Sequence, residues 1–178
     1  MGHIFISYSH DDSVFAERLA RDLQDDGRDV WIDFRGIRVG AEWEQAIFKG
    51  IEGCDFAIVC LTPASVQSDW VRREILMLRS RHKPIIPVLV RKQADTSAGL
   101  VETFKLLDAH EETRRLRDIQ MVDFERYGYE RAFPMLLEAL PGVIAIRSAE
   151  QDPLPEVDPA TIPNPFKGLE AFQQTDAH

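Results

Sequence analysis

Two stretches of the chain, Phe56 to Leu61 and Ile85 to Val90, are apolar without a break, and each is bracketed by segments whose apolar residues recur at helical spacing. A strand that is apolar at every position needs cover on both faces, as in a parallel sheet flanked by helices. The rest of the chain keeps the same alternation. His3-Ile-Phe-Ile-Ser-Tyr8 reads as a first strand ahead of the turn-prone Ser9-His-Asp-Asp12. Phe15, Leu19, Ala20 and Leu23 mark a first helix that Gly27 stops. Asp29 to Ile32 is a second short strand, and Asp33 to Ala41, with Gly36 and Gly40, is a loop. Trp43, Ala46, Ile47 and Ile51 mark a second helix closed by Gly53, and Phe56 to Leu61 is the third strand. A third helix runs from about Ser68 to Arg81 with Val71, Ile75 and Leu78 inward, and the fourth strand lies between Pro84 and Val90. The pattern weakens from Gln93 to Arg117, a long loop with a helix around Leu100 to Leu107. Gln120 to Phe124 is a short fifth strand, and Tyr129 to Leu140 a final helix with Pro134 in its first turns.

Strands alternating with helices of ~10–15 residues imply right-handed crossovers and an α/β fold. The expected architecture is a flavodoxin-like, doubly wound, five-stranded parallel sheet of order 2-1-3-4-5 with helices on both faces. Ligands in such a sheet sit outside the carboxyl ends of the strands, where the order reverses between strands one and three. Residues following Ile6, Ile32 and Val59 are therefore the functional candidates.

Charge and motif content narrow the chemistry at that edge. With 21 Lys and Arg against 30 Asp and Glu, the net charge of −9 argues against attraction to nucleic acid or anionic lipid. No apolar run approaches the ~18–20 residues of a membrane span, and no basic segment precedes a cleavable apolar stretch, so a cytoplasmic protein is expected. Two cysteines, Cys54 and Cys60, fall at core positions, and the five histidines are isolated, so no metal site is expected. A phosphate-accepting receiver needs an aspartate ending strand three and a lysine ending strand five. Here those strands end in Val59-Cys-Leu-Thr62 and Asp123-Phe-Glu125. The phosphate loop GxxxxGK[ST], the dinucleotide fingerprint GxGxxG and the GxSxG nucleophile elbow are all absent from the sequence.

Four blocks, HIFISYSHDD at 3–12, DVWIDFRGIRVGAEWEQAI at 29–47, CDFAIVCLTPASVQSDWVRREI at 54–75 and PIIPVLV at 84–90, resemble in order and interval the signature blocks of a bacterial-type TIR domain. The resemblance spans roughly residues 3–140. It implies the fold derived above, a loop of Asp33 to Glu42 corresponding to the family's BB loop, and one of two functions. Some TIR domains hydrolyse NAD⁺, and others only assemble with further TIR domains into signalling scaffolds. In the NAD⁺-cleaving members the catalytic glutamate lies in the third helix in a tryptophan-containing, SxxWxxxE-like context, which SDWVRRE resembles in its spacing of Trp70 and Glu74. The i,i+4 spacing puts indole and carboxylate on one helix face. By the same resemblance and by position at strand ends, Ser7 and Tyr8 form one wall of a substrate pocket and Asp33 and Phe34 another. Arg38 reaches the pyrophosphate and Trp70 stacks on a ring. NAD⁺ is substrate here, and no cofactor is implied.

A single carboxylate suits that reaction. Cleaving an ordinary glycoside takes two, because the leaving alkoxide must be protonated. Nicotinamide leaves neutral and needs no general acid. The competing reading of Glu74 is a solvated glutamate paired with Arg72, Arg73 or Arg79, and of Trp70 a core aromatic under strand three. Asp11 and Asp12 read as an N-cap and a dipole partner for the first helix. A deoxyribosyltransferase-like enzyme also uses a lone glutamate and remains a third class.

Residues 1–140 thus form a TIR-like domain. Six of the ten prolines fall between Pro141 and Pro165, and residues 141–178 hold two basic against six acidic residues, the composition of an extended linker. Its end, Ile162-Pro-Asn-Pro-Phe-Lys-Gly-Leu-Glu-Ala-Phe172, resembles the opening of STAND-type NTPase modules. The implied partner is a C-terminal NTPase or sensor module that clusters TIR domains and thereby switches on catalysis.

Overall fold

The computed structural model describes residues 2–32, 43–90 and 98–140. The expected loop at Asp33 to Glu42, with Asp33, Phe34 and Arg38, and the linker 141–178 lie outside those residues. The described strands are β1 (His3–Ser7), β2 (Val30–Ile32), β3 (Cys54–Leu61), β4 (Ile85–Leu89) and β5 (Val122–Asp123). They form one sheet of order β2-β1-β3-β4-β5, and every neighbouring pair is parallel. This is the doubly wound topology that the alternating pattern implies. Its order reverses between β1 and β3, which pair from His3↔Cys54 to Ser7↔Val59.

The two-residue period of a strand divides the core into two layers. Ile4 and Ile6 of β1, Ile58 and Cys60 of β3, and Ile86 and Val88 of β4 pack with Ala16, Leu19 and Leu23 of α1 (Ser13–Asp25) and with Ala132 and Leu136 of α8 (Tyr129–Ala139). Phe5, Ala57, Val59 and Leu61 face the other way. They meet Ile47 and Ile51 of α2 (Trp43–Gly53) and Val71, Ile75 and Leu78 of α4 (Asp69–Ser80). Each fully buried aliphatic side chain contributes about 1.5–3 kcal/mol.

Several elements differ from the sequence pattern. A short helix α3 (Pro63–Gln67) precedes α4, because Thr62 closes a reciprocal capping box with Ser65 and Pro63 sits in the first turn, where its missing N–H costs nothing. The ambiguous stretch contains α5 (Ala98–Ala109) and α6 (Glu111–Arg114). The fifth strand is only two residues long, since Asp123 caps a further short helix, α7 (Phe124–Tyr127), by accepting the Arg126 N–H at 2.7 Å. Gly128, at φ 72°, then turns the chain into α8, which carries Pro134 inside it. Among the described residues no helix is long and apolar enough to cross a membrane.

At the amino end of β1 and β2, α2 docks through a close approach. Trp31 stacks on Phe5 with centroids 5.0 Å apart, and a Cβ at Gly50 would stand 2.9 Å from the indole. Glycine inside a helix ordinarily costs about 1 kcal/mol relative to alanine. Gly50→Ala is nonetheless expected to destabilise the fold by about 1–3 kcal/mol, because the methyl group overpacks the indole. Urea unfolding checks this, and a more stable variant would contradict the packing.

Candidate functional site

Helix α4 begins where it does because Ser68 is its N-cap, its hydroxyl accepting the Val71 N–H at 3.4 Å, with Asp69 favourably placed in the first turn. That start sets Trp70 and Glu74 one turn apart on the face turned toward the sheet. The Trp70 indole Nε1–H donates to Glu74 Oε1 at 2.7 Å. From the carboxyl tip of β1, the Ser7 hydroxyl donates to Glu74 Oε2 at 2.5 Å, across 67 residues of sequence. Each carboxylate oxygen thus accepts a hydrogen bond, one from its own helix and one from the strand at the point where the sheet order reverses.

Glu74 is 2% exposed and Ser7 1%. Carboxylates are almost never buried so deeply unless they are paired, since removing the charge from water is costly. Hydrogen bonds to a charged acceptor return about 1.5–3 kcal/mol each. The reading of Glu74 as a solvated surface glutamate is therefore overturned. Two of the arginines weighed as its partners are engaged elsewhere: Arg72 with Asp69 and the backbone carbonyls of Val66 and Gln67, and Arg79 with the carbonyl of Glu112. Trp70 does two things. Its half-buried ring packs on the α2/α4 layer while its N–H serves Glu74.

By resemblance and by position at strand ends Ser7 and Tyr8 are expected on one wall, and the structure places their side chains on different faces. The carboxylate is covered. Successive strand residues point to opposite faces, so Ser7 lies with Glu74 while Tyr8 belongs to the cluster of Ile4, Ile6 and Leu19 beneath α1. The geometry brings Ser7, Trp70 and Glu74 together and leaves Tyr8 on the other side of the sheet.

One buried polar group escaped the sequence reading. Asp12 ends the turn His10–Asp12 at the N-cap position of α1, yet makes no side-chain capping bond there. It accepts a hydrogen bond from the Thr62 hydroxyl at 2.7 Å instead. Its signal was a helix-N-terminal residue type, which conceals a bond to the cap of a helix 50 residues away. Cys60 lies near this carboxylate. Burial, and then the charge of Asp12, push the Cys60 thiol well above its ordinary range, and burial also raises Cys54. Among the described residues no group of three or more His, Cys, Asp or Glu side chains could hold a metal ion.

The family model described as TIR domain matches residues 4–137. The chain belongs to the TIR domain family. Over 90 residues this TIR domain is 32% identical to the 2' cyclic ADP-D-ribose synthase AbTIR of Acinetobacter baumannii (strain 1295743), a match covering 48% of this chain and 34% of that protein. Over 89 residues it is 29% identical to the 2' cyclic ADP-D-ribose synthase BtTIR of Bacteroides thetaiotaomicron, covering 47% and 31%. The chain thus spans about a third of the length of these curated relatives. The TIR domains of the activated Roq1 resistosome share the fold, with a TM-score of 0.61 at 18% identity over 79% of this chain and 99% of theirs.

Neither cysteine of this TIR domain is placed as a nucleophile. An ordinary thiol, with a pKa near 8.5, is partly thiolate at pH 8. Both raised thiols are expected to stay silent toward a disulfide reagent at that pH in the folded protein and to react together on unfolding. Fast labelling of the native chain would contradict the burial.

Proposed function

We propose that this TIR domain cleaves the bond between nicotinamide and ribose in NAD⁺, with Glu74 as the catalytic carboxylate. The observation that carries the reading is the buried Glu74, held at both oxygens by Ser7 and Trp70 at the β1 tip where the sheet order reverses. Supporting it are the two relatives named as 2' cyclic ADP-D-ribose synthases, whose product retains ADP and ribose but not nicotinamide.

The chemistry follows from charge. The glycosidic carbon of NAD⁺ is joined to a positively charged pyridinium, so the bond breaks with its electron pair moving to nitrogen, and nicotinamide leaves neutral. Positive charge then builds on the ribose as an oxocarbenium-like centre, which a fixed carboxylate stabilises while accepting a hydrogen bond from a ribose hydroxyl. Water adds to that centre and loses a proton, giving ADP-ribose. An internal hydroxyl adding in its place gives a cyclic form. Each carboxylate oxygen can accept a further hydrogen bond, so a ribose hydroxyl can join Ser7 and Trp70 at Glu74. Trp70, anchored on the core by its ring, and Ser7 at the β1 tip hold the carboxylate in place for the sugar.

The second pocket wall rests on the family resemblance of Asp33, Phe34 and Arg38. We further propose that activity depends on self-association, with the linker 141–178 leading toward a clustering module of the STAND NTPase type, because a site completed by a neighbour exists only in the assembly. The nucleosidase assignment, NAD⁺ glycohydrolase (EC 3.2.2.6), belongs to this reading.

Nicotinamide release by the concentrated or artificially clustered chain tests it. Glu74→Ala is expected to lower the rate at least about 10²-fold, the order of loss seen when a fixed electrostatic stabiliser is removed. Clustered wild-type protein that consumes no NAD⁺, while still self-associating, would establish the scaffold function in its place. Competition by free nucleosides would point to the deoxyribosyltransferase-like class.

A further inference from the structure

The buried carboxylate that this chemistry does not use, Asp12, sits at the same carboxyl edge of the sheet. It is 4% exposed, and its partner Thr62 is 1% exposed. Thr62 follows the last residue of β3 and continues the two-residue period of Ile58 and Cys60. Its hydroxyl donates to Asp12 Oδ2 at 2.7 Å and accepts the Ser65 N–H at 3.0 Å. The Thr62 N–H in turn donates to Ser65 Oγ at 2.9 Å. Asp12 is thereby fastened to a rigid element, the capped start of α3.

The tether continues in the other direction. The Asp12 N–H donates to the Ser9 carbonyl at 2.7 Å, closing a tight turn. Two residues before Ser9 stands Ser7, whose hydroxyl holds Glu74. One short segment of backbone therefore carries the Thr62 clasp at one end and the Glu74 contact at the other. The two contacts lie on opposite faces of the sheet, so together they fix both the position and the rotation of the β1 tip.

Resting on the NAD⁺ reading, we propose that Asp12 and Thr62 are positioning residues for the reaction: their hydrogen bond locks the loop after β1 to the loop after β3 and so keeps Ser7 in the geometry that orients Glu74. A misplacement of about 1 Å at a reacting group can cost on the order of 10²-fold in rate, so a clasp remote from the chemistry can govern turnover. Its signature is a loss in kcat with little change in KM, since the clasp does not touch substrate.

The test uses the full 178-residue chain with Thr62→Val, which removes the hydroxyl at nearly constant shape, and Thr62→Ser, which restores it. Nicotinamide release gives kcat and KM, and amide hydrogen exchange reads residues 8–12. Thr62→Val is expected to lower kcat about tenfold or more with KM within about threefold, and to speed exchange in that turn. Thr62→Ser, which keeps the hydroxyl, is expected to retain kcat within about twofold. A Thr62→Val variant with wild-type kcat, however much stability it loses, overturns the proposal, as does a Thr62→Ser variant as impaired as Thr62→Val. Wild-type protein without turnover defeats the NAD⁺ reading itself, an outcome distinct from wild-type turnover with an indifferent clasp.

Discussion

The structure is organised around a carboxyl group kept out of water. Glu74 can be buried because an indole N–H and a serine hydroxyl reach its two oxygens, and both donors depend on distant features of the fold. The indole is in place only if α4 starts at Asp69, which the Ser68 cap arranges. The hydroxyl is in place only if β1 ends at Ser7 in its observed register with β3, where Ser7 stands opposite Val59. A one-residue slip of β1 would send Ser7 to the α1/α8 layer and put an apolar side chain beside the carboxylate. Well-packed apolar residues could replace such a group with little or no loss of stability. Its presence therefore fits a functional demand better than a structural one.

The sheet edge carries two buried carboxylates, one on each face. Glu74 meets donors from β1 and from its own helix, and Asp12 meets a donor from the tip of β3. Both contacts bridge segments far apart in sequence, so both contribute to holding the loops at the point where the strand order reverses. A preorganised site needs this kind of support, because a side chain fixed only by its own backbone can rotate away from the reacting group.

Much of this was legible in the residues. Unbroken apolar runs at Phe56–Leu61 and Ile85–Val90 implied a sheet covered on both sides, and the strand order followed from the flavodoxin-like class that the alternation pointed to. The four-residue spacing of Trp70 and Glu74 also read directly as a shared helix face. What the pattern did not carry was depth. Periodicity shows which way Glu74 points but not that Ser7 closes over it, because that bond joins residues 67 apart. The strand period separates Ser7 from Tyr8, which packs with Ile4 and Ile6. Helix α3 was missed because five residues are too few for a periodic signal, and only the Thr62-Pro-Ala-Ser65 cap announces it. Asp12 looked like a dipole partner for the first helix because local rules see only local partners.

The most direct test of the central claim is the indole Nε1–H resonance of Trp70, assigned among the three tryptophans by Trp70→Phe. A proton donated to a buried carboxylate resonates downfield and reports any change at its acceptor. The account predicts that this signal moves in Glu74→Gln without ligand, and that NAD⁺ shifts it saturably in the wild-type protein. A resonance indifferent to both would mean that the carboxylate is neither held by Trp70 nor approached by the dinucleotide.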